Sequence, residues 1–240
     1  MYRFYQKNQM GFSLVSIATY VILFSVSDSL SEALGIQKLI TAPVALLFTL
    51  FLYGFLNRNG LKAEYGLCAF RGNAKDFLYF LPLLLILSVN LWNGAALTAS
   101  LPETLLFILS MLCVGFLEEV IFRGLLFRAI SRDNLKLAVF VSSITFGIGH
   151  IVNLLNGADF LPTLLQICYA TAIGFLFAVI FLRGKSLWPC IVTHGVMNSL
   201  SVFGVSGTQA MDILAAVFLC LVSVGYALWI LRHTKTEENL

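Results

Sequence analysis

Charged residues are scarce in this chain. Lys, Arg, Asp and Glu make up 11% of its 240 residues, whereas 59% are hydrophobic and the mean hydropathy is +0.91. A soluble domain carries roughly a quarter charged residues, so this composition excludes a protein whose surface lies mostly in water. We expect membrane lipid as the main surroundings and no nucleic-acid partner.

Several motifs of known catalytic classes are also missing. The five cysteines are scattered and form no C-x-x-C pair, so they are interpreted as small hydrophobic residues. The sequence contains neither the H-E-x-x-H motif of zinc proteases nor the G-x-G-D motif of presenilin-like aspartyl proteases. Histidine is rare as well, with three residues in the whole chain.

Long apolar runs are what the chain does contain. A helix needs roughly 17–25 apolar residues to cross a bilayer, and the sequence predicts eight such spans. They run at about 11–27, 39–56, 77–92, 105–121, 137–155, 160–182, 187–205 and 213–231. The prediction is an all-α, polytopic transmembrane bundle of about eight helices that forms one integral membrane domain over residues 1–240.

The basic residues predict an orientation for this bundle. With eight spans and a cytoplasmic N-terminus, fourteen of the fifteen Lys and Arg residues fall on the cytoplasmic side, and only Lys38 falls on the other. The fourteen are Arg3, Lys7, Arg58, Lys62, Arg71, Lys75, Arg123, Arg128, Arg132, Lys136, Arg183, Lys185, Arg232 and Lys235. The positive-inside rule favours this arrangement, in which both termini are cytoplasmic.

Two adjacent carboxylates interrupt the fourth span. Glu119 and Arg123 are i,i+4 neighbours on a helix and can form an ion pair, whereas Glu118 points about 100° away. Ionisable groups within a span cost at least a few kcal/mol and are typically functional. We therefore interpret Glu119 and Arg123 as a structural pair and Glu118 as a general base that faces a cavity. The alternative is that both glutamates mark the end of the helix at the interface.

Two histidines interrupt later spans. Phe146 and His150 lie in the fifth span, and His194 and Asn198 share one face of the seventh. From the rise of a helix, Glu118, His150 and His194 lie roughly 18, 22 and 15 Å from the cytoplasmic turns. Similar depth on three helices predicts a shared hydrated cavity, although a single histidine in a bundle is usually a packing residue.

Such a cavity would suit peptide hydrolysis. A carboxylate with a histidine can activate water directly, and a second histidine with an amide can form an oxyanion hole, in which one donor is worth about 3 kcal/mol. We assign the first role to Glu118 and His150, and the second to His194 and Asn198. Two histidines and a glutamate could instead hold Zn²⁺. No cofactor is expected, and zinc is the alternative.

The three motifs together resemble the CPBP family, which contains CAAX proteases and bacteriocin-processing enzymes and is related to the eukaryotic prenyl-protein endopeptidase. The resemblance lies in Glu118-Glu119-x-x-x-Arg123, Phe146-x-x-x-His150 and His194-x-x-x-Asn198, within a core of about residues 104–205. It implies an intramembrane endopeptidase in which these residues carry the roles given above. The family has been described as metalloproteases, and that assignment is disputed. The implied substrate is a membrane-associated peptide or protein, lipidated or not.

Other functions remain open. The chain could be a non-catalytic membrane regulator or a bacteriocin-immunity protein that binds a peptide or sensor, or a transporter that relays protons. Gly204-Val205-Ser206-Gly207 matches the G-x-S-G of rhomboid proteases, but no histidine lies in the last span to serve as its base. We expect a bacterial plasma membrane location, with the active-site cavity opening toward the cytoplasm.

Overall fold

The structure is a computed structural model, and it describes residues 1–234. Lys235, which the orientation prediction counted as cytoplasmic, lies outside the described residues. Within them the chain is helical and contains no β-strand, which confirms the predicted all-α bundle. The α-helices are α1 (Tyr2–Lys7), α2 (Gln9–Ala33), α3 (Thr41–Arg58), α4 (Leu81–Ser88), α5 (Leu101–Glu118), α6 (Phe127–Ser131), α7 (Leu135–Gly149), α8 (Val152–Leu155), α9 (Phe160–Gly184), α10 (Trp188–Leu200) and α11 (Gln209–His233).

Seven helical segments in the described part of the chain are long and apolar enough to span a membrane. The predicted span that has no counterpart among these seven is the one at 187–205, which contains α10; this helix has only 13 residues and is extended by a 3₁₀ turn to Phe203. Thirteen residues cover about 20 Å, less than the ~30 Å hydrocarbon core. The helix is short because Leu187 still belongs to the preceding turn and an extended segment follows Phe203. The predicted span of residues 187–205 is therefore longer than the helix in the structure.

The third span is also less regular than predicted. It begins as a 3₁₀ segment, Ala74–Phe80, and becomes α-helical only at Leu81. Leu78, Tyr79 and Phe80 all have positive φ, which L-residues rarely adopt. Tyr226 of α11 donates a hydrogen bond to the Phe77 carbonyl beside this break, which satisfies a backbone group that the helix would otherwise bond.

The longest helical segment, Leu101–Ser131, carries the first motif. Ser100 and Glu103 form a capping box at its start, and Pro102 occupies the first turn, where a missing N–H costs nothing. Its middle is not α-helical, because Glu119–Leu126 forms a π-helix between α5 and α6. Extended π-helical segments are rare and often lie at functional sites.

Close contacts between glycines allow α5 and α10 to pack together. A Cβ at Gly115 would lie 2.5 Å from the backbone nitrogen of Gly195. Small residues permit such close backbone approach between membrane helices. This contact sets α10 against the part of α5 that ends in Glu118. α9 packs against both α7 and α11, and α2 packs against the π-helix.

The loops fall at two opposite ends of the bundle. At one end, Tyr5 bonds Tyr65 at 2.7 Å, Arg128 donates to the Glu64 carbonyl at 3.0 Å, and Arg71 donates from its backbone to Gly184. We call this the basic end; it contains the loops 59–73, 132–134 and 185–187.

The other end carries acidic residues, and we call it the acidic end. It contains the loops 34–40, 92–100, 150–159 and 204–208. Gln37 donates from its backbone to Glu103 at 3.2 Å, and residues 94–96 pair with residues 203–205 through backbone hydrogen bonds. The acidic residues here are Asp28, Glu32, Glu103, Asp159 and Asp212. Lys38 is the single Lys or Arg at this end within residues 1–234.

Candidate active site

Glu118 lies at the junction of α5 and the π-helix, and its side chain is 13% exposed. The carboxylate accepts a short hydrogen bond from the Tyr20 hydroxyl of α2. Its other oxygen lies 3.6 Å from Nε2 of His194. Glu118 therefore faces other polar groups inside the bundle, as the sequence predicted, and does not mark an interfacial helix end.

Glu119 has no exposed surface and contacts two partners through the same oxygen. Arg123 Nη1 donates to Oε1 at 2.9 Å, which is the predicted i,i+4 ion pair. His194 Nδ1 lies 2.8 Å from the same atom. A buried carboxylate is stabilised by such charge-assisted hydrogen bonds. Glu119 therefore does more than pair with Arg123, because it also orients the His194 ring.

Phe146 lies between the buried cation and the two histidines. The Arg123 guanidinium lies 3.9 Å from the centre of its ring, within the range of a cation–π interaction. The rings of His150 and His194 lie 5.3 and 5.6 Å from it, both nearly perpendicular. Phe146 thus packs the second and third motifs against the first.

His150 follows the last residue of α7 and faces the same space as Glu118. Its Nδ1 lies 3.1 Å from the Phe146 carbonyl, so Nδ1 donates the hydrogen bond and Nε2 remains available to a ligand or water. Within residues 1–234 no hydrogen bond or ion pair joins His150 to Glu118. The structure brings His194, rather than His150, into direct contact with Glu118.

Two cavities meet at Glu118. Cavity A, of about 250 Å³, is lined by Tyr20, Asp28, Lys38, Glu118, His150 and Asn156, among others. Cavity B, of about 270 Å³, is lined by Glu118, His150, His194 and Asn198, with Asn90 and Gln166 nearby. The four predicted catalytic residues therefore border one polar space, with Glu118 and His150 shared by both cavities.

Both cavities extend toward the acidic end of the bundle. Lys38, Asn153 and Asn156 in cavity A, and Asn90 and Ser201 in cavity B, belong to or adjoin the loops of that end. The sequence predicted a cytoplasmic basic end together with a cavity opening toward the cytoplasm. These two predictions are incompatible in this fold, because the basic loops and the cavities lie at opposite ends.

Comparison with known proteins gives two matches. Residues 99–200 match the family described as Type II CAAX prenyl endopeptidase Rce1-like. The chain is also 37% identical over 99 residues to "Putative membrane peptidase YdiL" of Bacillus subtilis (strain 168). Residues 99–200 are thus similar to proteases of the CPBP type. The alignment covers 41% of this chain and 36% of the relative, so the chain matches about a third of that protein's length.

The matched region, residues 99–200, does not complete the site alone. Tyr20, which contacts Glu118, and the ion pair between Lys38 and Asp28, at 2.8 Å in cavity A, lie in or after α2. The sequence did not predict Tyr20 as a residue of the site. The available signal was its position near the middle of the first span, at a depth similar to that of Glu118 in the fourth.

The polar side chains of the site do not form a metal-binding group. Among the residues that the structure describes, no three side chains of His, Cys, Asp or Glu come together as a metal-binding group. Nδ1 of His194 faces Glu119, so Nε2, which lies 3.6 Å from Glu118, is the nitrogen that could contact an ion. Zinc dependence stays a separate prediction, to be tested by chelation.

Proposed function

We propose that this CPBP protein is an intramembrane endopeptidase, in which water activated at Glu118 hydrolyses a peptide bond of a membrane-associated peptide or protein. The observation that carries the proposal is the convergence of Glu118, His150, His194 and Asn198 on adjoining cavities within an apolar bundle. The match to a peptidase family supports the same reaction class.

In the proposed reaction, Glu118 removes a proton from a water molecule in cavity B, with His150 as the second polar group that holds the water. The hydroxide attacks the scissile carbonyl, and the proton passes to the leaving amine. Tyr20 holds one oxygen of the Glu118 carboxylate, which leaves the other to face the water. A positioned general base of this kind contributes typically 10²–10⁴-fold to the rate.

The developing oxyanion is stabilised by His194 and Asn198 in this proposal. Both lie on α10 one turn apart and line cavity B. Glu119 accepts the Nδ1–H of His194 and is itself bonded by Arg123, so Nε2 is held in a fixed direction. Nε2 donates to the oxyanion in the form of the ring that carries a proton on both nitrogens. Preorganised donors of this type are effective because they need not reorient as charge develops.

The experiment that tests the proposal compares membranes from cells that express the wild-type chain or Glu118→Gln. New peptide N-termini in the membrane proteome should accumulate with the wild type and disappear with the variant. Glu32→Gln, the same chemical change at an exposed position of the acidic end, is the matched control and should cleave normally. A cellular phenotype that persists with Glu118→Gln would favour a non-catalytic regulator or immunity protein.

Metal independence is proposed as well, and it has its own test. Exhaustive treatment with a membrane-permeant chelator should leave cleavage unchanged. Loss of cleavage that Zn²⁺ alone restores would replace the general-base mechanism by one in which a metal activates the water.

A further inference from the structure

The direction from which the site is reached follows from the fold and from the distribution of charge. Cavity B adjoins a third cavity, cavity C, of about 360 Å³, and the two share Asn90, Tyr169, Met197 and Ser201. Cavity C is lined further by residues 204–207 and by Asp212 at the start of α11. Cavities A, B and C thus form a row, with Glu118 and His150 between A and B.

Every loop that borders this row belongs to the acidic end. Cavity A is bordered by loops 34–40 and 150–159, and cavity C by the segments that contain Asn93 and Gly204–Gly207. The basic end is closed beneath the site by buried side chains of the π-helix and α6, among them Val120, Leu125 and Phe127. Water and substrate therefore have a polar path to Glu118 from the acidic end.

The charge distribution relates these ends to the membrane. The loops of the basic end carry Arg and Lys residues. Within the described range, Lys38 is the single Lys or Arg at the acidic end, and it forms an ion pair with Asp28. Loops rich in Lys and Arg are retained in the cytoplasm. The acidic end then faces away from the cytoplasm.

We propose that the site is entered from the acidic, extracytoplasmic end of the bundle. Its substrate is accordingly an exported peptide, or a segment of a membrane protein that is exposed on that side. The term substrate rests on the proposed peptidase function, whereas the direction of access does not. Polar side chains along cavities A and C, including Asn153, Asn156 and Asn93, offer hydrogen bonds to a peptide backbone on either side of Glu118.

Single cysteines test the direction of access in intact cells. The background chain has its five native cysteines replaced by alanine and is used only if its melting temperature matches the wild type. Asn156→Cys at the acidic end and Asp133→Cys at the basic end are both exposed loop positions. A membrane-impermeant maleimide should label Asn156→Cys from outside and Asp133→Cys only after permeabilisation. The reverse pattern would overturn the proposal.

A second pair of cysteines tests whether the path reaches the site itself. Met111 lines both cavities A and B, whereas its neighbour Leu112 is exposed on the outside of the bundle. A small, impermeant, quaternary-ammonium thiol reagent added outside should modify Met111→Cys at least tenfold faster than Leu112→Cys. Equal rates, or modification of Met111→Cys only from the cytoplasmic side, would contradict the proposed path.

A third measurement avoids the cysteine-free background. A short epitope inserted at Gly157, or separately after Asp133, in the otherwise native chain should bind antibody on intact cells only at Gly157. Binding only at the Asp133 position would refute the assigned orientation. None of these readouts requires catalysis. If cleavage proves absent while the labelling pattern holds, the peptidase proposal fails and the extracytoplasmic cavity stands.

Discussion

Two isosteric substitutions at adjacent positions should differ in their effect on stability: Glu119→Gln should lower the melting temperature, whereas Glu118→Gln should leave it nearly unchanged. Glu119 is completely buried, and one of its oxygens bonds both Arg123 and His194. Removal of its charge leaves the fully buried Arg123 guanidinium without its counter-ion. Breaking a buried pair in this way costs about 3–5 kcal/mol. Each kcal/mol lowers the melting temperature of a chain of this size by about 2–4 °C, so Glu119→Gln should melt roughly 6–20 °C below the wild type.

Glu118→Gln should instead keep the stability and lose the reaction. The amide oxygen of glutamine can still accept the hydrogen bond from Tyr20, and the side chain faces a cavity, so the melting temperature should stay within about 4 °C of the wild type. Glutamine cannot accept a proton from water, so cleavage should fall by about 10²–10⁴-fold.

Both quantities can be measured on the same preparations. Tryptophan fluorescence during heating reports the unfolding of the purified protein in detergent, and cleavage is followed as new peptide N-termini in membranes. The reasoning is refuted if Glu119→Gln melts with the wild type. It is refuted equally if Glu118→Gln is destabilised as strongly as Glu119→Gln, or if it cleaves at the wild-type rate.

Three further substitutions give separate tests. Tyr20→Phe removes a hydrogen bond to a charged group, worth about 1.5–3 kcal/mol, and should lower kcat roughly 10- to 100-fold with a smaller change in KM. Burial raises the pKa of the Tyr65 hydroxyl, so the folded state keeps its proton while the unfolded chain ionises near pH 10. Stability should therefore fall as the pH rises above about 10, and less so in Tyr65→Phe, as melting temperatures between pH 8 and 11.5 would show. Gly115→Ala places a methyl group against the Gly195 backbone and should cost about 1–3 kcal/mol, whereas Gly54→Ala, with open space around it, should melt like the wild type.

Local rules were sufficient for the features that depend on one helix. Long apolar runs predicted the spans because a bilayer demands a minimum length, and the i,i+4 spacing predicted the ion pair of Glu119 and Arg123. Depth along separate helices correctly placed His194 near Glu118. These quantities are set by the rise and the period of a single helix, which the sequence displays directly.

Features that depend on contacts between distant residues were not predictable in the same way. The rotation of each helix decides that His194, rather than His150, contacts Glu118, and the sequence contains no measure of that rotation. Tyr20 is 98 residues away from its partner and belongs to no motif. The left-handed turn at Leu78–Phe80 contains no glycine, which is the usual signal for positive φ. The opening of the cavities toward the acidic end depends on how several loops are arranged together.

The contact between α2 and the π-helix limits how the proposed site can be exchanged between similar proteins. A chimera in which the matching segment of a similar protein replaces residues 99–200 would place a foreign carboxylate opposite Tyr20 and a foreign π-helix against α2. Co-transfer of the first helix with the motif segment should therefore rescue chimeras that fail with the motif segment alone. Transfer of this site to another protein would thus require two stretches of chain that are far apart in sequence.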